Sequence, residues 1–540
     1  MGCYSKPLLM TSFSLDNPLA VARVGEPAWR SIAWLALSGL LLLSGCATHQ
    51  LRDVPLNPSY AQTPSQSGAL FQVAKQIEAQ NGAGKSTYLA LSDNLDALRW
   101  RLLLADLATE TIDAQYYLWN GDESGRLLAL HLIEAANRGV RVRLLVDDVF
   151  TIDSDTSIAA LDSHPNIEVR IFNPWQKRGS AWRRATEYLG ASRQLNQRMH
   201  NKLFVADNRV AIVGGRNISN PYFGLGDQYN FRDLEVVTAG PVAEDISHSF
   251  DLYWNDDWVV TGKAFTPPDY EPPSIDSIRE GLQHELQASD RLEQAGLGDL
   301  LRWDDLLPEL IDASDTGSVW VVYDDPPTAV ANDNGVRKVD KLAGMSKRYR
   351  EDVVVASAYF IPNDELLASI QALTDRGVRV RVITNSLAST NHTMVNSGYA
   401  PWRRRLLEAG VELYEYRGDI PDTSGIVVPG IDSHRITLHT KAFVIDYETV
   451  YIGSLNMDPR SMHINTEMGM LIKDPVLARE VMLELEEDMS PENAWRVTLD
   501  EEDRLVWESA AGKVYRQPAR SFGQRVADFF YSLLPIKDQL

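Results

Sequence analysis

A histidine and a lysine two residues apart occur twice in this chain, each time with the same residues downstream. The first copy is His200-Asn201-Lys202, with Asp207 and then Gly214-Gly215-Arg216-Asn217; the second is His439-Thr440-Lys441, with Asp446 and then Gly453-Ser454-Leu455-Asn456. Both obey H-x-K-x4-D-x6-G-[GS]-x-N, and two copies with identical tails are a strong signal where one would be a suggestive match. An imidazole can attack an electrophile or carry a proton near neutral pH, and an ammonium beside it neutralises an anion. The pair therefore suits displacement at a phosphodiester, whose negative charge otherwise repels nucleophiles. Lys202, Lys441, Asn217 and Asn456 can neutralise the oxygens. One histidine can attack phosphorus to give a phosphohistidine while the other protonates the departing alcohol and later deprotonates the incoming one.

Strand geometry must position these groups. Alternate side chains of a strand share a face, so His200, Lys202 and Phe204 point one way, as do His439, Lys441 and Phe443. Asp207-Asn208 and Asp446-Tyr447 each lie between two β-rich runs, which reads as a hairpin whose turn the aspartate begins. Both aspartates are expected to be structural.

The pattern resembles the phospholipase D superfamily, whose two H-K-D motifs, one from each of two pseudo-symmetric halves, form one active site. Arg138-Gly-Val-Arg-Val-Arg-Leu-Leu-Val-Asp147, Asp162-Ser-His-Pro165 and Met457-Asp-Pro-Arg-Ser461 resemble its bacterial cardiolipin synthase branch, most of all the cardiolipin synthase C type. The resemblance covers roughly residues 85 to 540 and implies His200 as nucleophile and His439 as acid/base. It also implies a phosphatidyltransferase making cardiolipin from glycerophospholipids, with phosphatidylglycerol and phosphatidylethanolamine as candidate substrates. A hydrolytic phospholipase D, a nucleic-acid phosphodiesterase and a non-enzymatic lipid-binding lipoprotein are the alternatives. Erosion of one motif would mark the last of these, and neither is eroded.

Each imidazole needs an acceptor on its second nitrogen, and a carboxylate also selects the tautomer. Glu235, in Asp233-Leu234-Glu235, and Glu467, in Asn465-Thr466-Glu467, are the candidates. No metal or other cofactor is needed, because two ammonium groups bring the charge a metal would. His131, His164, His248, His284, His392, His434 and His463 are scattered, without ligand spacing.

The elements repeat as the motifs do. A strand over Ile112 to Trp119, a helix over Arg126 to Asn137, Gly139 and a strand from Val140 to Val146 are matched by Val353 to Phe360, Glu365 to Asp375, Gly377 and Val378 to Val382. His200 and His439, like Asn217 and Asn456, are 239 positions apart. Two α/β/α halves with mixed sheets, sharing one active site at their interface, are the expected fold, in a monomer with an internal pseudo-twofold.

The expected boundaries are 1–45 for a signal peptide, 46–84 for a flexible tether and lead-in, and 85–262 for the first half. A Pro-rich acidic linker with short helices takes 263–315, the second half 316–500 and an amphipathic tail 501–540. Arg23 and Arg30, the apolar run Ile32 to Leu43 and then Leu43-Ser44-Gly45-Cys46 resemble a bacterial lipobox, with Cys46 lipidated; the alternative is a transmembrane anchor, for which the run is short. Ala47 follows the cysteine, which by resemblance favours the outer membrane of the bacterial envelope. Cleavage before Cys46 removes three basic and two acidic residues, moving the formal charge from −22 to −23. So acidic a chain is a poor general binder of nucleic acid. Gly82-Ala83-Gly84-Lys85-Ser86 lacks the first glycine of a phosphate-binding loop and is expected to be a plain loop before a helix.

Arginines 178, 183, 184, 193 and 198 and the run Arg403-Arg404-Arg405, interleaved with Trp182, Tyr188, Tyr399 and Trp402, read as solvated helix faces, with Arg198 near enough to His200 to draw anionic headgroups. At the C-terminus Phe522, Val526, Phe529, Phe530, Leu533 and Leu534 share one helical face. Docking of that face on the protein body is favoured over a membrane-surface helix.

Overall fold

The computed structural model describes residues 51–150, 155–178, 181–266, 270–297, 306–313, 318–331, 349–433 and 435–534. Cys46, the apolar run before it and His434 lie outside the described residues, as do the side chains of Trp182 and Arg183.

Strands β1 (Thr87–Leu91), β2 (Thr111–Tyr116), β3 (Arg141–Asp147), β4 (Ile167–Phe172), β5 (Leu203–Ala206) and β6 (Val210–Gly214) belong to the first half. So do β7 (Asn230–Arg232), β8 (Glu235–Ala239) and β9 (Val259–Thr261). The second half contributes β10 (Ser318–Tyr323), β11 (Asp352–Ser357), β12 (Arg379–Asn385), β13 (Glu412–Tyr416), β14 (Ile436–Leu438), β15 (Lys441–Ile445) and β16 (Thr449–Gly453). It continues with β17 (Met468–Lys473), β18 (Ala494–Leu499), β19 (Leu505–Ser509) and β20 (Gly512–Val514).

The first sheet runs β1-β8-β6-β5-β2-β3-β4-β9 and the second β10-β17-β16-β15-β11-β12-β13-β18-β19-β20. Strand for strand, the first eight of the second sheet repeat the order of the first. In each, three parallel strands (β2-β3-β4; β11-β12-β13) adjoin antiparallel ones. Helices cover the parallel strands, as a buried two-faced sheet requires. Helix Glu123–Asn137 is capped by Asp122, which accepts from Gly125 N, and Asp364–Thr374 by Asn363, which accepts from Leu366 N. Gly139 and Gly377 follow them at φ of 99° and 82°, a left-handed conformation that glycine adopts without strain.

The strands carrying the motifs are buried on both faces: Leu203–Ala206, Val210–Gly214 and Lys441–Ile445 contain no exposed residue. Their hairpins turn at Asp207-Asn208 (φ 54° and 51°) and Asp446-Tyr447 (φ 52° and 56°), the positive pair of a type I′ turn. The Asp207 carboxylate accepts from the backbone N–H of Thr109, Glu110 and Thr111, at 2.8 to 3.0 Å; Asp446 does the same for Arg350, Glu351 and Asp352. Each aspartate thus ties its hairpin to the entrance of the neighbouring central strand.

Four elements depart from the sequence reading. Residues 57–65 are strapped to the first half instead of forming a loose tether: Arg170 donates to Asn57 O, Arg143 to Ser59 O and Arg209 to Ser65 O. After Gly82–Ser86 comes strand β1, not a helix. The second sheet continues past residue 500 through β19 and β20. The helices Ile275–Gln287 and Asp290–Gln294 of the linker lie on the first half, with ion pairs Arg126–Glu285 and Arg291–Glu123.

Candidate active site

The halves are stitched together at the histidines. β7 pairs in parallel with β14, and His439 N donates to Arg232 O at 2.7 Å; reciprocally, Met199 bridges Thr466 and His200 N donates to Thr466 O at 2.9 Å. The residue after each of these acceptors is acidic. Glu467 therefore reaches His200, Oε2 to Nδ1 at 2.8 Å, and Asp233 reaches His439, Oδ2 to Nδ1 at 2.6 Å. Each half orients the other half's imidazole.

This corrects the expectation for Glu235. That carboxylate faces away from His439 and binds two buried arginines, Arg101 Nη2 at 2.7 Å and Arg216 Nη1 at 3.4 Å. The sequence reading aligned Glu235 with Glu467, but strand pairing shows otherwise: Gly214 opposes Glu235 and Gly453 opposes Gly469. Glu235 thus corresponds to Gly469, and Asp233 to Glu467. A slip of two residues keeps a side chain on the same face, so alternation could not expose the error. An acidic residue directly following a short strand that precedes β8 was the available signal.

Lys202 and Lys441 are buried beside the histidines, and each ammonium donates to the carbonyl of its own motif histidine, at 2.5 Å for Lys202 to His200 O. Tyr117 stands edge-on to His200, with centroids 5.0 Å apart, and its ring lies 5.5 Å from the Lys202 ammonium. Tyr222 and Phe231 flank His439 at 5.1 and 4.8 Å. Asn217 accepts from Leu118 N at 3.1 Å and donates to the Tyr222 hydroxyl at 3.0 Å, which gives it a scaffold contact. Asn456 is buried, and among the described residues its Oδ1 has no hydrogen-bond partner.

Burial and mutual repulsion set the charges. Desolvation, then the Lys202 and Lys441 ammoniums, hold His200 well below its ordinary value; the same burial and Lys441 bring His439 to about 3. Lys202 falls to about 7 and Lys441 to about 8, burial being the first cause in both. The two carboxylates go opposite ways. Burial raises Glu467 to about 7 despite Lys202, whereas in Asp233 the burial penalty is outweighed by His439 and Lys441, and its pKa is lowered. At neutral pH both imidazoles are neutral, donate Nδ1–H to their carboxylates and keep an Nε2 lone pair.

Two backbone supports complete the site. Asp147, at the end of β3, accepts from Met199 N at 2.9 Å; Asn385, at the end of β12, accepts from Leu438 N at 3.0 Å. Both hold the residue just before a motif histidine. Three of the arginines in the basic runs are structural. Arg178 is buried against Asp148 and Asp155, Arg198 against Asp147 and Asn173 O, and Arg403 against Glu415, so none of the three is a solvated helix face able to draw headgroups.

A family model described as cardiolipin synthase, PLD-like domain, matches residues 104–254 and 344–489. The chain is 36% identical over 498 residues to cardiolipin synthase C of Escherichia coli (strain K12), covering 88% of this chain and 99% of that relative. It is 24% identical over 424 residues to cardiolipin synthase 2 of Bacillus cereus, covering 78% and 68%. Among solved structures, phosphatidylserine synthase of Haemophilus influenzae Rd KW20 shares the fold, at a TM-score of 0.52 and 15% identity over 78% of this chain and 91% of that one.

Proposed function

The chain belongs to the phospholipase D-like cardiolipin synthase family, an enzyme family of phosphatidyltransferases, and from that premise we propose that it makes cardiolipin from glycerophospholipids at a membrane surface through a phosphohistidine. The observation that carries the mechanism is the reciprocal pairing of each imidazole with a carboxylate of the other half. His200 Nε2 attacks phosphorus and the bond to the leaving alcohol's oxygen breaks. That oxygen takes its proton from His439 Nε2, protonated when a phosphodiester brings negative charge beside it. In the second step His439 removes the proton of the acceptor hydroxyl, whose oxygen displaces His200 from phosphorus.

The difference between the carboxylates supports this order of roles. Asp233, lowered and charged, suits a histidine that must become imidazolium; Glu467, raised to about 7, suits one that starts neutral as nucleophile. Lys202 and Lys441 neutralise the non-bridging oxygens, and a bound anion offsets the burial that lowers both.

The lipid chemistry named for its relatives supports reading it as a membrane-associated bacterial protein, and among the described residues no helix is long and apolar enough to cross a membrane. We assign attachment to lipid on Cys46, with the outer membrane as the site. Mass spectrometry of the mature N-terminus tests this: an unmodified peptide spanning Gly45 and Cys46 would overturn it.

The test of function is incubation with phosphatidylglycerol, with and without phosphatidylethanolamine, measuring cardiolipin against phosphatidic acid. Cardiolipin as main product, absent with His200→Asn, is expected. Phosphatidic acid dominating whatever acceptor is offered would make the enzyme a hydrolase.

A further inference from the structure

Helix Phe522–Ser532 is built inside out. Its polar Gln524 and Asp528 are buried: Gln524 donates to Leu387 O at 2.5 Å, and Asp528 accepts from Asn396 Nδ2 and Gln517 Nε2, both at 2.8 Å. Its apolar side chains face outward, with Phe522 81%, Phe529 61%, Phe530 60% and the following Leu533 64% exposed. The expected docking of the apolar face on the body is thus reversed. Hydrogen bonds from the polar face fix the helix, and they leave apolar area in water that any apolar phase would take up.

Beside this helix lies a groove of about 670 Å³ lined by Arg435, Arg516, Arg520 and Arg525. Asp419, the one acidic side chain lining it among the described residues, is paired with Arg417 at 3.0 Å. In a chain of formal charge −22, four arginines line one groove next to an outward apolar face, Arg520 and Arg525 also donating to Thr390 O and Gln517 O. Packed side chains join the groove's wall to the site. Arg435 lies 4.5 Å over the Tyr229 ring, Tyr229 packs on Phe231 at 5.2 Å, and Phe231 on His439 at 4.8 Å.

We propose that helix Phe522–Ser532 and this groove dock the catalytic body on an anionic lipid bilayer, the phenylalanines and Leu533 entering the interface while the arginines take anionic headgroups. The pattern of an apolar face beside basic side chains is that of an interfacial helix. The inference deepens the lipid reading above, because it names the face turned to the membrane and places it on the second half, beside the arginine-lined groove.

The test places an environment-sensitive fluorophore at Phe530→Cys in the full chain carrying Cys3→Ser and Cys46→Ser, with Lys75→Cys on the first half as control position. On vesicles of phosphatidylglycerol and phosphatidylcholine the label at 530 should shift to the blue and be quenched by brominated acyl chains, while the label at 75 stays in water. Arg516→Gln should weaken the response by roughly fivefold, the expectation for one basic side chain at an anionic surface. Changing Phe522, Phe529 and Leu533 to Ser should abolish it. His200→Asn should dock like the parent, so loss of docking and loss of turnover read separately. An unchanged spectrum, an equal response on pure phosphatidylcholine, or a shift that grows with protein concentration without vesicles, as a second copy would produce, overturns the proposal.

Discussion

The two halves carry the same histidine–lysine pair at the head of corresponding strands, but the groups behind the pair have diverged. In the first half Asp147 holds the strand before the histidine, Gly215 stands in the glycine-rich tail, and Asp233 reaches across to His439. In the second, Asn385, Ser454 and Glu467 take these places. Ser454 Oγ donates to Glu467, a contact that has no counterpart at Gly215. Duplication thus supplied two equal imidazole–ammonium pairs, while the two carboxylates differ in pKa, burial raising Glu467 and His439 and Lys441 outweighing burial in Asp233, which is the condition for giving the two histidines different tasks.

The largest effects should come from the histidines. His200→Asn removes the proposed nucleophile and should lower turnover by about 10⁴-fold or more; His439→Asn removes the proposed acid and should cost about 10² to 10⁴-fold. Circular dichroism should be unchanged in both. The asymmetry sharpens in a trapping experiment: phosphorus label from substrate should be recovered on His200 in acid-quenched enzyme, and label on His439 would exchange the roles.

The carboxylates are next. Asp233→Asn should lower kcat by about 10²-fold with little change in melting, since an amide lacks the charge that supports the His439 imidazolium and can turn its N–H to Nδ1, which selects the wrong tautomer. Glu235→Gln should do the opposite. It strands the buried guanidiniums of Arg101 and Arg216 and should destabilise by about 3 to 5 kcal/mol, read by denaturant titration, with turnover of the folded enzyme retained. Equal kinetic defects in the two variants would remove the assignment of Asp233.

Much of this was legible beforehand, for physical reasons. The motifs, hairpins and repeated strand order rest on period-two burial and turn chemistry within a few residues, and sequence carries such patterns directly. Asp233 was missed because a shift of two leaves a strand's face unchanged and only cross-strand pairing fixes register. The arginines at 178, 198 and 403 read as surface charge because their partners, Asp148, Asp147 and Glu415, are brought to them by folding. The C-terminal helix showed its apolar stripe in the sequence, but which side the body would hold depended on Leu387, Asn396 and Gln517, elsewhere in the chain.

The pH profile is a milder way to probe the comparison. As pH falls through about 7, Glu467 takes a proton and ceases to be the acceptor for His200; as pH rises past about 7 to 8, Lys202 and Lys441 lose the charge that binds the anion. Log kcat/KM against pH should therefore be bell-shaped with its maximum near neutrality, its limbs belonging to the coupled site and not to single residues. A profile flat to about pH 9 would take the lysine charges out of the mechanism.

The smallest expected effect comes from exchanging the residues that break the symmetry. Ser454→Gly removes the hydroxyl donor that lowers Glu467 against its burial, so Glu467 should rise further and the acid limb of the profile should move up by about 0.5 to 1 unit, with kcat near its maximum changed by no more than about threefold. The reverse exchange is not its mirror. A Cβ at Gly215 would lie 2.6 Å from Asp233 Oδ1, so Gly215→Ser must displace the carboxylate that orients His439 and should resemble Asp233→Asn in its loss of kcat. If instead Ser454→Gly left the acid limb in place, the raised Glu467 would not be what that limb reports, and the division of labour between the halves would have to rest on the histidine trapping alone.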